Sequence, residues 1–441
     1  MNISVVGTGY VGLVTGCCLA ESGNIVTCID NDAHKIDELV AGNVPIYEPG
    51  IEELLLKNQK EKRLSFTTDL ADGIKNADVI FLALPTPPND DGSADLSIIL
   101  SVASDLGQYL PNRFCLIVNK STVPVGSAKK VSDAITGSNN KEFEVVSNPE
   151  FLREGHAVED FMKPERVVVG VSSKKAENIM RALYEPFISN DRPLYVTDPI
   201  TSELSKYAAN SFLVTKVNFM NEIAQLCELM GADVDMLRQA VGSDSRIGHQ
   251  FLHPGIGCGG SCFPKDIRAL EYMSEDHGYD FKLLKAAVVV NQQQQHLLVS
   301  KIMNHFSDNI KDKTFALWGL SFKPNTDDIR EAPALVIINE LIASGAKIQA
   351  YDPEANANIK KLYKDSPSLQ IMEDKYAALD NAEALILATE WQEFIDSDIK
   401  VIKDKLNNAL VFDGRNIFTP KNMEESGFSY YSIGRRPTIN P

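Results

Sequence analysis

Ile3-Ser4-Val5-Val6-Gly7-Thr8-Gly9-Tyr10-Val11-Gly12 is the stretch whose reading decides the fold. Ile3–Val6 is a short apolar run and reads as a strand. The glycines follow at once, and Leu13 to Glu21 has helical character that ends near Gly23. Ile25–Ile29 reads as a second strand, closed by Asp30. A lone GxGxxG is weak evidence. Between a strand and a helix, with an acid after the second strand, it predicts a dinucleotide fold. The glycines let a pyrophosphate approach the backbone and the amides at the helix start. Asp30 is expected to bond ribose hydroxyls, and its charge repels a 2′-phosphate, so the expected cofactor is NAD rather than NADP.

Outward from this unit, apolar runs alternate with helical stretches at Leu64–Thr67, Val79–Leu84, Cys115–Asn119, Val145–Ser147 and Val167–Val169. That alternation predicts a doubly wound α/β sheet, whose ligands bind beyond the carboxyl ends of the strands. Pro85-Thr86-Pro87-Pro88, Lys120-Ser121-Thr122-Val123-Pro124 and Asn148 to Gly155 each follow such an end. From about Thr201 the pattern changes to long helices. Ser202 to Met230 is apolar nearly all round, which predicts a buried, domain-linking helix that also suits a subunit interface. A third region from about Lys311 echoes the first: a strand at Phe315–Leu317, a helix at Ala334–Ala343, and a strand at Lys347–Tyr351 closed by Asp352. It lacks the glycine fingerprint. The fold class expected is α/β, two Rossmann-like doubly wound domains joined by a central helical domain with a long helix. The expected boundaries are 1–200, 201–300 and 301–441.

Bulk properties narrow the function. The chain has 441 residues and a net charge of −17, which argues against nucleic acid or an anionic membrane as partner. Seven cysteines without framework spacing point to a reducing compartment, so a cytoplasmic location is expected. No His/Cys cluster has zinc spacing, and no metal is expected. Met1 runs straight into the first strand, so no signal peptide is expected, and no apolar run reaches membrane-spanning length.

Pro254-Gly255-Ile256-Gly257-Cys258-Gly259-Gly260-Ser261-Cys262-Phe263-Pro264-Lys265-Asp266 carries the clearest chemistry. Its glycines make a loop that can lie close to a ligand. Cys262 stands at the exit, and Pro264 to Asp266 read as a first helical turn. A thiol at a helix N-terminus favours the thiolate, so Cys262 reads as a poised nucleophile.

Together these segments resemble the UDP-glucose/GDP-mannose dehydrogenase family over nearly the whole chain. The resemblance rests on Gly7 to Gly12, Ser121 to Gly126, Asn148 to Gly155, Glu203 to Asn210, the Cys262 loop, Phe322 to Glu331 and Asp413-Gly414-Arg415. It implies a four-electron oxidation of a nucleotide sugar with two NAD and no metal, passing through a Cys262 thiohemiacetal and thioester. By resemblance, Lys206 and Asn210 face the reacting oxygen, and Asp266 assists through water or by holding Lys206. Glu150 is the base for hydrolysis, and Thr122 positions the water. The cofactor contacts implied are Gly7, Gly9, Val11, Gly12, Asp30, Lys35, Thr86, Thr122, Glu154 and Arg330. The sugar-nucleotide contacts implied are Phe151, Leu152, Arg153, Glu154, Lys206, Asn210, Gly257, Phe322, Lys323 and Arg415, with Arg246 reaching a neighbouring subunit's site in a homodimer. UDP-glucose is the expected substrate. GDP-mannose or a UDP-N-acetylhexosamine would suit the same chemistry, and a two-electron dehydrogenase or a non-catalytic NAD sensor are the rival classes.

Plainer readings accompany these residues. Cys17, Cys18, Cys28, Cys115 and Cys227 read as core thiols. Lys206, Lys323 and Arg330 could be solvated charges, and Glu150 and Glu154 could be first-turn carboxylates. Asn291 to Gln295 reads as an exposed helix face, and Arg435-Arg436 as part of a disordered polar tail.

Overall fold

A computed structural model of the chain describes residues 1–137 and 141–440. Fourteen strands form two sheets among them. The first contains β1 (Asn2–Val6), β2 (Ile25–Ile29), β3 (Leu64–Thr67), β4 (Val79–Leu82), β5 (Cys115–Asn119), β6 (Phe143–Ser147), β7 (Val167–Gly170) and β8 (Leu194–Thr197). Their spatial order is 3-2-1-4-5-6-7-8, and all neighbours are parallel except β6 and β7. The second contains β9 (Thr314–Trp318), β10 (Lys347–Tyr351), β11 (Leu369–Ile371), β12 (Ala384–Leu387), β13 (Leu410–Asp413) and β14 (Ser429–Tyr431). It is wholly parallel, in the order 11-10-9-12-13-14, which repeats the path of the first six strands. The predicted α/β class and the two Rossmann-like sheets are both present.

Strand alternation divides the apolar side chains between two faces. Val79 and Phe81 enter one core, while Ile80 and Leu82 enter the core on the opposite face. In the second sheet Phe315 and Leu317 point one way, Ala316 and Trp318 the other. Helices cover both faces, as near-continuous apolar strands require.

Two compact units result: residues 1–209 with 268–279, and residues 210–267 with 280–440. The division runs through two helices, Pro199–Met230 and Phe263–Asp276. The first of these is the expected long helix, but it is not buried all round. Phe212, Phe219, Leu226 and Leu229 are exposed on it. The tail expected to be disordered is held instead. Tyr430 and Thr438 exchange backbone hydrogen bonds, and Arg435 Nη2 lies 2.8 Å from Asp235 Oδ2. Among the described residues no helix is long and apolar enough to cross a membrane.

Candidate active site

In the first unit, β1 ends in a turn that requires glycine. Gly7 has φ +98°, and a Cβ there would lie 2.4 Å from the Ala83 carbonyl oxygen. A Cβ on Gly12 would lie 1.9 Å from the Gly7 carbonyl oxygen. Gly9 differs. It caps the helix Tyr10–Glu21 without any side-chain hydrogen bond, and a Cβ there would meet nothing within 4 Å. Two glycines thus let the chain pack on itself, and the third leaves open space before uncapped helix amides. That cradle fits a pyrophosphate. Asp30 closes β2 and ties the turn: its Oδ2 accepts from the Thr8 amide and hydroxyl, both at 2.8 Å, and from Lys35 Nζ at 3.2 Å. Burial pushes its carboxyl up, but the Thr8 and Asp32 hydrogen bonds and the Lys35 charge outweigh this and hold it below the usual range. Val11, in the first turn of that helix, is half-buried. The loops after β4 and β5 meet where Thr86 Oγ1 donates to the Thr122 carbonyl at 3.0 Å. Thr122 is further held through its own segment, since Glu203 accepts from the Gly126 amide at 2.6 Å and the Ala128 amide at 2.8 Å.

The loop after β6 carries a buried ion pair. Lys206 Nζ lies 2.8 Å from Glu150 Oε1, with both side chains nearly inaccessible. Glu150 Oε2 also accepts from the Leu152 amide at 2.7 Å. Burial alone pushes the Glu150 carboxyl up; the Lys206 ammonium, the Leu152 amide and the Lys120 charge together hold it below the usual range. Removing one partner of such a pair costs about 3–5 kcal/mol, because the other charge is left uncompensated. Phe151 lies beneath two cations, with the Arg166 guanidinium 3.7 Å and Lys206 Nζ 5.4 Å from its ring centre. Arg153 is exposed and forks onto Asp160 at 2.9 and 2.5 Å, while Glu154 is half-buried.

In the second unit, the Cys262 carbonyl accepts from the Asp266 amide at 2.9 Å, which makes Cys262 the cap of the helix Phe263–Asp276. The expected thiol at a helix start is therefore present, half-buried, with Ser261 Oγ 3.5 Å from Sγ. Asp266 is buried and bound through both oxygens: Asn210 Nδ2 donates to Oδ2 at 2.6 Å and Lys265 Nζ to Oδ1 at 2.7 Å. Asp266 thus orients Asn210. Burial pushes the Cys258 thiol up to about 11, which leaves it protonated at neutral pH.

The loop glycines are filled by the chain itself. A Cβ would lie 2.9 Å from Gln295 Cγ at Gly257, 2.3 Å from the Glu331 carbonyl oxygen at Gly259, and 2.7 Å from Phe322 at Gly260. The run Asn291 to Gln295 is a solvated face only in part: Gln292 and Gln293 are exposed, while the other three turn to the cysteine loop. Asn291 accepts from the Cys258 amide at 2.7 Å, Gln295 donates to the Cys258 carbonyl at 3.0 Å, and the buried Gln294 donates to the Gly255 carbonyl at 2.6 Å. These three amides fix the cysteine loop, and polarity alone gave no sign of it. Arg415 stitches the same loop to the sheet, reaching the Ala388, Phe322 and Gly257 carbonyls at 2.9, 3.3 and 3.5 Å. Lys323 lies 5.4 Å over the Phe322 ring. Arg330 and Arg246 are exposed and paired with Asp328 and Asp244.

Comparison with known proteins adds to this geometry. The NAD binding domain of the UDP-glucose/GDP-mannose dehydrogenase family matches residues 1–188, its central domain residues 200–293 and its UDP binding domain residues 316–420. The chain belongs to the UDP-glucose/GDP-mannose dehydrogenase family. A UDP-glucose 6-dehydrogenase of Pseudomonas aeruginosa is 45% identical, covering 99% of this chain and 98% of that protein. A UDP-glucose 6-dehydrogenase of Bacillus subtilis, YwqF, is 44% identical over 100% and 99%. Among solved structures, a UDP-glucose dehydrogenase from Pyrobaculum islandicum superposes with a TM-score of 0.91 at 35% identity, covering 98% of each chain. A UDP-D-ManNAc dehydrogenase from Pyrococcus horikoshii gives 0.85 at 26% identity over 99% of each. The family's two nucleotide domains correspond to the two sheets.

Two neighbours of the site escaped the sequence reading. Arg166, just before β7, drew no reading from the sequence, yet its guanidinium lies over the Phe151 ring. Lys120 follows β5, as surface lysines often do, yet it is buried.

Proposed function

We propose that this chain oxidises the primary alcohol of UDP-glucose to the carboxylate of UDP-glucuronate, with NAD as cofactor. The observation that carries the chemistry is Cys262 at the cap of a helix whose first turn holds Asp266 on Asn210. Gly7, Gly9, Val11, Gly12, Asp30, Lys35, Thr86, Thr122, Glu154 and Arg330 would hold NAD, which when bound accepts one hydride in each of the two oxidations. The first oxidation leaves an aldehyde. The Cys262 thiolate adds to its carbon, the oxygen becomes the thiohemiacetal oxyanion, and Lys206 and Asn210 stabilise that charge. The second oxidation leaves a thioester on Cys262. Glu150 takes a proton from water positioned by Thr122; the hydroxide adds to the thioester carbon, the C–S bond breaks to return the Cys262 thiolate, and the carboxylic acid formed loses its proton to solvent as the carboxylate.

Phe151, Leu152, Arg153, Gly257, Phe322, Lys323 and Arg415 are proposed to bind the nucleotide sugar. UDP-glucose is favoured over other nucleotide sugars because the 45% and 44% identical relatives carry that name, whereas the UDP-D-ManNAc enzyme stands at 26%. The three-domain division at 1–200, 201–300 and 301–441 remains the proposed organisation. A cytoplasmic homodimer is the proposed form. Phe212, Phe219 and Leu226 recur every seven residues along the long helix and form one exposed apolar stripe, with Arg246 available to a second subunit.

Cys262→Ser tests the mechanism. Net carboxylate formation should fall at least about a thousandfold, with the sugar retained as an ester detectable in the protein's mass. Turnover within about tenfold of the wild type overturns it.

A further inference from the structure

Lys120 is a buried amine with neutral partners. Its Nζ donates to Asn148 Oδ1 at 3.2 Å and to the Tyr184 hydroxyl oxygen at 3.3 Å. Tyr184 itself donates to Asn148 Oδ1 at 2.5 Å, and Asn148 Nδ2 is fixed on the Val168 carbonyl at 2.8 Å. The rings of Phe161 and Tyr184 lie 5.6 and 5.8 Å from the nitrogen. Every group around Lys120 is thus held, and none of them neutralises it. Asn148, which holds Lys120, stands two residues before Glu150 in the loop after β6, so the amine is fixed on the same loop as that carboxylate. The charges that act on it are Glu150 and, from the long helix, Lys206. Glu150 is reached in addition by the Arg166 guanidinium stacked on the neighbouring Phe151. Burying a cation among neutral groups is unfavourable, which calls for an explanation beyond packing.

Glu150 supplies one. Its only ion-pair partner among the described residues is Lys206, the same side chain proposed to meet the substrate oxyanion. A lysine that turns to that oxyanion gives up part of its hold on Glu150, when Glu150 must next accept a proton from water. We propose that Lys120 is a positioning residue, a fixed second cation that keeps Glu150 ionised while Lys206 serves the substrate oxygen. The inference rests on the reading of Glu150 as the hydrolytic base. Consistent with a field shared among the three groups, burial pushes the Lys120 amine down to about 8, against the opposing pull of Glu150 and with a contribution from Lys206.

The test is the pH profile of kcat for UDP-glucose oxidation in the full-length protein, in the wild type and three variants. In Glu150→Gln the acid limb should vanish. Lys120→Gln keeps the hydrogen bonds but not the charge; its acid limb should shift up by about one pH unit, with KM for UDP-glucose within about twofold. Lys120→Arg keeps the charge at all accessible pH, so its acid limb should match the wild type. An acid limb in Lys120→Gln that coincides with the wild type overturns the proposal. If that variant does not fold, an acid limb in folded Lys120→Arg shifted up by about one pH unit overturns it equally, because the charge is retained there. An acid limb that survives in Glu150→Gln overturns the base assignment, and this inference with it. Loss of the limb in Glu150→Gln, beside a wild-type profile in Lys120→Gln, removes only the role of Lys120.

Discussion

Lys120 lies in the fold against its own solvation. Its amine is pushed from 10.5 down to about 8, so the unfolded chain binds a proton that the folded chain releases across that window. Stability attributable to Lys120 therefore rises with pH between those values, by up to about 3 kcal/mol at 1.36 kcal/mol per unit. Denaturant unfolding of the wild type and Lys120→Gln at several pH values checks this. The wild type should gain on the variant from pH 8 upward, and a constant difference would contradict the assignment. This residue also marks where sequence reading runs out. The place of Cys262 at a helix start was legible because the proline-led run after it, with Asp266 in the first turn, is a local helix-start signal. Lys120 and Arg166 were not, because a lysine or arginine beside a strand carries no mark of burial until the helices over it are placed. Asn291 and Gln294 were missed for a related reason: amides that satisfy loop carbonyls resemble amides that face water.

At the scale of the element, the glycine turn after β1 separates structural glycines from a ligand-facing one. Gly12→Ala would drive a Cβ to within 1.9 Å of the Gly7 carbonyl oxygen, a backbone atom that cannot swing aside. A loss of at least about 2 kcal/mol in unfolding free energy is expected. Gly9→Ala meets no protein atom, so its stability should stay within about 0.5 kcal/mol of the wild type, while KM for NAD rises about tenfold or more. Equal stability losses in the two variants would refute the distinction. The strand–turn–helix pattern gave this element almost entirely, because its periods are local. β8 and the hydrogen-bonded tail were not foreseen, since Leu194–Thr197 is a short, incompletely buried run and the polar tail has no apolar period.

Across the whole molecule, one topology is used twice with different ends. Asp30 and Asp352 each close the second strand of a sheet. Asp30 leaves Gly9 open beside it, whereas Asp352 is fully buried and accepts from the Leu320 and Ser321 amides, the Ser321 hydroxyl and Trp391 Nε1. A Cβ on Gly319 would meet Thr389 at 2.5 Å. The second turn is closed by its own side chains, which accords with the family's division into one NAD and one UDP domain. The exposed stripe on the long helix belongs to this scale too. Phe219→Asp should convert the proposed homodimer to a monomer by light scattering and lower kcat at least tenfold, because Arg246 then has no second site to complete. A monomeric wild type would contradict the dimer.

In the proposed reaction a single nucleophile, Cys262, links two oxidations. Its most direct test is the end-point yield of NADH from a limiting, weighed amount of UDP-glucose. Two NADH per sugar, with UDP-glucuronate as the sole sugar product, is the predicted result. One NADH per sugar with the aldehyde released would contradict it.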